Sequence, residues 1–187
     1  MTGELNYAFS FICGQNNCWY LGGSVLPMCQ RCTGLYVGSA CALLCWLGWR
    51  PKPASLVLWA HGVFLLLMIP FGYHLVPQTA AVRTITGWLF AFGLVYYMAT
   101  FGFPSPVTTG ARPPIKLAAW SQTNSCYYFG CLLLGIVLLL AAIHFGAAVA
   151  AHVLSVLAAL GVVSLMSLSF VVFVTLARGA FRRFSRA

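Results

Sequence analysis

The sequence predicts an all-α fold, a polytopic bundle of about five transmembrane helices with a cysteine-rich knuckle at its N-terminal side. Hydrophobic residues make up 61% of the 187 residues and charged residues only 6%, which is too little polar surface for a water-soluble domain. Several apolar stretches approach the ~20 residues that a helix needs to cross a hydrocarbon core of about 30 Å. We therefore expect an integral membrane protein.

Prolines, glycines and basic residues separate the predicted spans. The apolar stretch 125–176 is too long for one crossing at about 1.5 Å rise per residue, so we expect the chain to turn back between Phe145 and His152. Pro70 and Gly72 are expected to kink or end the second span. The predicted organisation is a cysteine-rich segment at 1–32, a transmembrane domain at 33–177 with spans at about 33–49, 54–73, 84–103, 125–145 and 152–176, and a basic tail at 178–187.

The distribution of basic residues predicts the orientation. No basic leader with a small-residue cleavage site precedes the first apolar run, so no removable signal peptide is expected. With five spans, Arg31 and Arg83 fall on one side of the membrane and the other eight lysines and arginines fall on the opposite side. The positive-inside rule then predicts a multi-pass protein of the cell inner (cytoplasmic) membrane, with the N-terminus outside and the C-terminus in the cytoplasm.

The chain has ten lysines and arginines but a single acidic residue, Glu4. Without carboxylates inside the membrane there is no proton relay of the kind that ion-coupled transporters use, so a secondary transporter is not expected. The counter-ions of the arginines are expected to come from outside the chain, either from anionic headgroups of membrane lipids or from carboxylates of a partner subunit. No nucleic acid is expected as a partner.

Four cysteines near the N-terminus form the most distinctive pattern in the chain. Cys13 and Cys18 make a C-x4-C pair, and Cys29 and Cys32 make a C-x2-C pair. Four converging thiols can hold zinc or an iron–sulfur cluster, form two disulfides, or exchange between dithiol and disulfide. An outer, oxidising compartment favours structural disulfides, whereas the C-x2-C spacing is typical of metal sites and redox-active pairs. The sequence leaves disulfide, metal (zinc) and redox dithiol open.

Other polar and small residues are interpreted as packing residues. Gly34 and Gly38 form a G-x-x-x-G pattern that lets a second helix approach closely, within the bundle or in a dimer. Cys41 and Cys45 share one helix face and are expected to pack as small apolar side chains. His61 lies inside the second span, where a bond to a neighbouring carbonyl is favoured over haem or chlorophyll ligation.

Three motifs resemble a known family. The stretch from Cys29 to Gly38, C-Q-R-C-T-G-L-Y-V-G, resembles C-x-R-C-x-G-I-Y-x-G, and Arg83 to Gly87 resembles R-x-x-T-G, in small bacterial and archaeal membrane proteins catalogued as a domain of unknown function. The resemblance covers about residues 10–95 and implies that Arg31, Arg83 and the cysteines form one unit. It implies no reaction. The family pattern C-H-Q is C-G-Q here, so Gly14 replaces a histidine that could bind a metal or move a proton.

These observations support functions of different classes. The first is a membrane protein whose outer four-cysteine site, Cys13, Cys18, Cys29 and Cys32, holds a metal, forms disulfides or exchanges thiols. The alternative is a non-catalytic accessory transmembrane subunit of a larger electron-transfer or photosynthetic membrane complex. A lipid-headgroup enzyme ranks third; it would use Arg31 and Arg83 to hold phosphate and His74 as base. Arg31, Arg83 and His74 are accordingly predicted to contact an anion or a partner.

Overall fold

In the part of the chain that it describes, a computed structural model contains five helices long and apolar enough to cross a membrane, which confirms the predicted transmembrane bundle. The structure describes residues 7, 9, 13, 17–49, 55–73, 75–102, 116–146 and 148–184. Glu4, Gly14 and His74 therefore lie outside the described residues. The elements are strands β1 (Cys18–Leu21) and β2 (Ser24–Cys29) and helices α1 (Gln30–Trp49), α2 (Ser55–Leu66), α3 (Met68–Gly72), α4 (Ala80–Gly102), α5 (Lys116–Phe145) and α6 (Ala148–Phe184).

The helices begin earlier than the apolar pattern predicts. The predicted starts at 33, 84 and 125 become Gln30, Ala80 and Lys116, because each helix continues through polar residues, such as Arg31, Arg83 and Gln122, that interrupt the apolar run. The last helix continues to Phe184, so most of the predicted basic tail at 178–187 is helical. Apolar runs mark the part of a helix that lies in lipid and leave out its polar ends, which explains the differences.

Two breaks in the helices occur where the sequence predicts them. Between α2 and α3 the chain departs from α-helix at Leu67, and Pro70, which lacks the N–H that would reach the carbonyl of Leu66, lies just beyond. Between α5 and α6 the chain reverses at Gly146, whose φ of 58° is accessible to glycine at little cost. This reversal lies inside the predicted segment from Phe145 to His152.

A short antiparallel β-hairpin precedes helix α1, and the sequence interpretation missed it. Gly22 and Gly23 form its two-residue turn with φ of 54° and 77°, the positive values that a type I′ turn requires. The strands then pair Leu21 with Ser24 and, at their far ends, Cys18 with Cys29. Because β2 ends where α1 begins, the hairpin lies at one end of the bundle, which we call the hairpin end.

Helices α1 and α4 form the centre of the bundle. Of the most apolar 18 residues of each helix, 50% are buried in α1 and 56% in α4. The other three spans bury only 11%, 17% and 22%, and they therefore form the outer surface. The backbones of α1 and α4 touch. A Cβ added to Gly34 would overlap the carbonyl oxygen of Thr84, and a Cβ added to Gly87 would overlap the carbonyl oxygen of Arg31. The G-x-x-x-G pattern of α1 is thus used within the chain.

The polar side chain of His61 is satisfied inside the bundle. Its Nδ1 lies 2.7 Å from the carbonyl oxygen of Val57, and its Nε2 lies 3.2 Å from the hydroxyl of Tyr128. The imidazole also stacks on the ring of Tyr96 at 4.2 Å. With both nitrogens bonded, His61 is a packed core residue, as the sequence interpretation favoured.

Candidate thiol centre

Three of the four predicted cysteines meet at the hairpin end. The Sγ atoms of Cys13, Cys29 and Cys32 all lie within 4.8 Å of one another. Among the residues that the structure describes, no second group of three or more thiols or imidazoles converges in this way. All eight cysteines of the chain are present as thiols.

Local structure explains why the C-x2-C pair converges. Cys29 is the last residue of β2, and Cys32 is the third residue of α1. The backbone N–H of Cys32 donates to Sγ of Cys29 over 3.4 Å, the bond that an N-cap serine or aspartate makes at the start of a helix. The thiol of Cys29 thus takes the place of an N-cap hydroxyl. Because this bond joins the N-cap residue to the third residue of the helix, two residues separate the cysteines.

Cys13 reaches the centre from outside the hairpin. Its Sγ accepts the backbone N–H of Cys29 at 3.2 Å, and its own N–H donates to the carbonyl of Phe9 at 2.8 Å. A further bond, from the N–H of Gln30 to the carbonyl of Asn17, ties the segment before β1 to the start of α1. These bonds hold Cys13 against the end of the hairpin.

Cys18 lies beside this group without completing it. Its Cα pairs with that of Cys29 across the hairpin, and directly opposite residues point to the same face of a sheet. Burial raises the pKa of the Cys18 thiol, and the proximity of Cys13 and Cys29 raises it further. For Cys29, the hydrogen bond with Cys13 is the main reason that the pKa is raised. The hydrogen bonds of Cys29 with Cys32 act in the opposite direction and lower the pKa of Cys29.

Arg31 is buried next to the thiols, with an exposed fraction of 7%. One of its terminal nitrogens, Nη2, donates to the carbonyl of Phe71 at 2.6 Å and to Oε1 of Gln78 at 2.8 Å. The Phe71 carbonyl, at the end of α3, also accepts a hydrogen bond from Nε2 of Gln78, so these three residues form one small network. Sequence reasoning missed Gln78, although an isolated glutamine between two apolar spans is a usable signal.

Arg83 lies at the same end of the bundle, one helical turn before Gly87 on α4. Its neighbour Thr84 links α4 to α1 and to β1. The Thr84 hydroxyl donates to the carbonyl of Gln30 at 3.0 Å and accepts the indole N–H of Trp19 at 3.1 Å. The Nε atoms of Arg31 and Arg83 are buried, and neither has a hydrogen-bond partner among the residues that the structure describes. The predicted anion contact of these arginines stays a prediction, and its third member, His74, lies outside the described residues.

The comparisons with known proteins agree with the motif resemblance. A family model described as "Predicted membrane protein (DUF2085)" matches residues 13–97. The comparisons with curated proteins and with solved structures found no match. The matched region runs from Cys13 to α4, so it contains the three converging thiols, Arg31, Arg83 and the contact between α1 and α4. Residues 13–97 of this chain thus carry the pattern of DUF2085, an uncharacterised family of predicted membrane proteins.

Proposed function

We propose that this integral membrane protein holds a thiophilic metal ion, with zinc as the leading candidate, at Cys13, Cys29 and Cys32. The observation that carries the proposal is the mutual approach of three sulfur atoms within 4.8 Å. A zinc–sulfur bond of about 2.3 Å in tetrahedral geometry separates two sulfurs by about 3.8 Å, so only small side-chain movements are needed. Cys18, which is paired with Cys29 in the hairpin, is the candidate for the fourth position.

Two features favour a metal over a disulfide or an exchanging dithiol. A disulfide joins two sulfurs, whereas here three lie within 4.8 Å of one another. In addition, Cys13 and Cys29 each accept a backbone N–H, and such bonds stabilise the thiolate form that binds metals. A dithiol site would also use converging sulfurs, so the experiment below must separate it from a metal site.

The test is elemental analysis of the native protein, purified in mild detergent and compared with single variants. We expect about one zinc ion per chain, and near-complete loss of zinc in Cys29→Ser and Cys32→Ser. Cys126→Ser is the matched control, because Cys126 is an exposed thiol on α5. Size-exclusion chromatography checks that each variant is folded.

Other results would contradict the metal centre. Reversible loss of two hydrogens from a metal-free chain under mild oxidation would favour a redox dithiol. Larger chains that co-purify in stoichiometric amounts with a metal-free protein would favour the accessory-subunit function, in which partner subunits cover part of the bundle surface. Metal content that is the same in the Cys29→Ser and Cys126→Ser variants would place any bound metal elsewhere.

We also propose that the hairpin end faces the outside of the cytoplasmic membrane and that anionic headgroups balance the basic residues at the other end. The support is the eight-to-two distribution of lysine and arginine along the chain. Fusions after Ala187 test the orientation: green fluorescent protein should fluoresce there and alkaline phosphatase, which needs an oxidising compartment, should be inactive. The reverse pattern would contradict the proposed orientation.

A further inference from the structure

A cleft of about 570 Å³ lies at the hairpin end, between β1, α4 and α5. Trp19 and Tyr20 line it from β1 and Ala81 from the first turn of α4, while the last turns of α5 contribute residues that include Ala141 and His144. A volume of this size falls in the range of about 300–1,000 Å³ that is typical of small-molecule sites. Tyr20 is 78% exposed, so the cleft is open at the protein surface.

Contacts outside the cleft hold its walls in place. The indole N–H of Trp19 donates to the hydroxyl of Thr84 at 3.1 Å, which fixes the tryptophan ring against α4. The hairpin turn packs on the start of α6, where a Cβ added to Gly22 would overlap the backbone of Ala148. The hairpin is thus attached to two helices, and the space between it and α5 is present before any ligand binds.

The surroundings of the cleft indicate what fills it. Only 22% of the most apolar 18 residues of the α5 span are buried, so most of this helix faces the hydrocarbon chains of the membrane. The cleft continues that surface at the end of the span, where Leu140 and Ala141 form part of its wall. Tryptophan and tyrosine, here Trp19 and Tyr20, are typical of the boundary between hydrocarbon and headgroups. The molecules that reach this position are therefore membrane lipids.

We infer that the cleft holds one acyl chain of a phospholipid from the leaflet on the hairpin side, with the phosphate beside His144. The volume admits a single chain rather than a whole diacyl lipid. The imidazole of His144 is exposed and packs edge-on against Phe145, with centroids 5.7 Å apart, and its ring N–H is free to point to a phosphate oxygen. Among the described residues, no acidic side chain lines the cleft and would repel the phosphate. The inference does not depend on the metal centre.

Native mass spectrometry of the full chain, stripped of lipid in detergent and titrated with phosphatidylethanolamine, tests the inference. We expect one tightly bound lipid per chain. Ala141→Phe fills the cleft and should abolish this binding, whereas Leu134→Phe, an exposed position roughly two turns away on the same face of α5 and outside the cleft, should not change it. His144→Leu removes the bond to the phosphate and should weaken binding about 10-fold. A zwitterionic lipid keeps this measurement separate from the anionic lipid expected at Arg31.

Equal lipid binding by the Ala141→Phe and Leu134→Phe variants would overturn the inference, and unchanged metal content in both would leave the metal centre intact. Because His144 is exposed, the His144→Leu variant is expected to fold. Unchanged affinity in that variant would overturn the phosphate contact even if the Ala141→Phe variant does not fold. A lipid without phosphate, such as a polyprenyl quinone, that co-purifies with the unaltered protein and is lost in Ala141→Phe would overturn the choice of a phospholipid.

Discussion

Gly34→Ala is expected to lower the stability of the bundle more than a glycine-to-alanine change at any other position of α1. The new Cβ would occupy the space of the Thr84 carbonyl oxygen, and a backbone atom cannot rotate away as a flexible side chain can. The two central helices would have to separate, and the hydrogen bond between Thr84 and Gln30 would be lost. We expect a loss of about 3 kcal/mol, at the upper end of the range for overpacked cores.

Thermal unfolding of the purified protein in detergent measures this effect. Gly48→Ala is the control, because it lies on the same helix and a Cβ there meets nothing within 4 Å. It should be neutral or slightly stabilising, since alanine favours helix over glycine by up to about 1 kcal/mol. Equal midpoints for the Gly34→Ala and Gly48→Ala variants would show that α1 and α4 do not approach as closely as described.

Arg31→Lys is expected to weaken the contact between α1 and the end of α3 although the charge is kept. The planar guanidinium reaches both the carbonyl of Phe71 and the amide oxygen of Gln78, whereas the shorter lysine cannot reproduce this geometry. Hydrogen bonds to charged groups contribute about 1.5–3 kcal/mol each, so losing one of the two should cost about 2 kcal/mol. Membrane insertion should survive.

The measurement combines thermal unfolding with mass spectrometry of the intact protein and its retained lipids. If Arg31 also binds an anion, as predicted, Arg31→Lys should release bound anionic phospholipid as well as lower the midpoint. Arg178→Lys, at an exposed arginine on α6, is the control. In a double-mutant cycle, Gln78→Leu should cost less in the Arg31→Lys background than in the unaltered protein. Additive effects would show that Arg31 and Gln78 act independently.

The hairpin and the helix ends are features that local sequence patterns predict poorly. Gly22 and Gly23 are a recognised turn signal, but the strands beside them are only four and six residues long and mix apolar with polar residues, so the surrounding segment resembled an irregular loop. The helix starts were predicted within four residues for α1, α4 and α6, and nine residues late for α5. Boundaries depend on capping bonds, such as the one from Cys32 to the thiol of Cys29, that hydrophobicity does not report.

The sequence by itself determined the membrane class, the five spans and the C-x2-C element, because these depend on composition, on the length of apolar runs and on bonds within one helical turn. The tertiary structure decided which residues meet across the chain. Cys13 joins Cys29 from sixteen residues away, Arg31 reaches Phe71 forty residues away, and Gly34 packs on Thr84 of another span. Such contacts arise from the relative placement of helices and of the hairpin, which no local pattern of residues specifies.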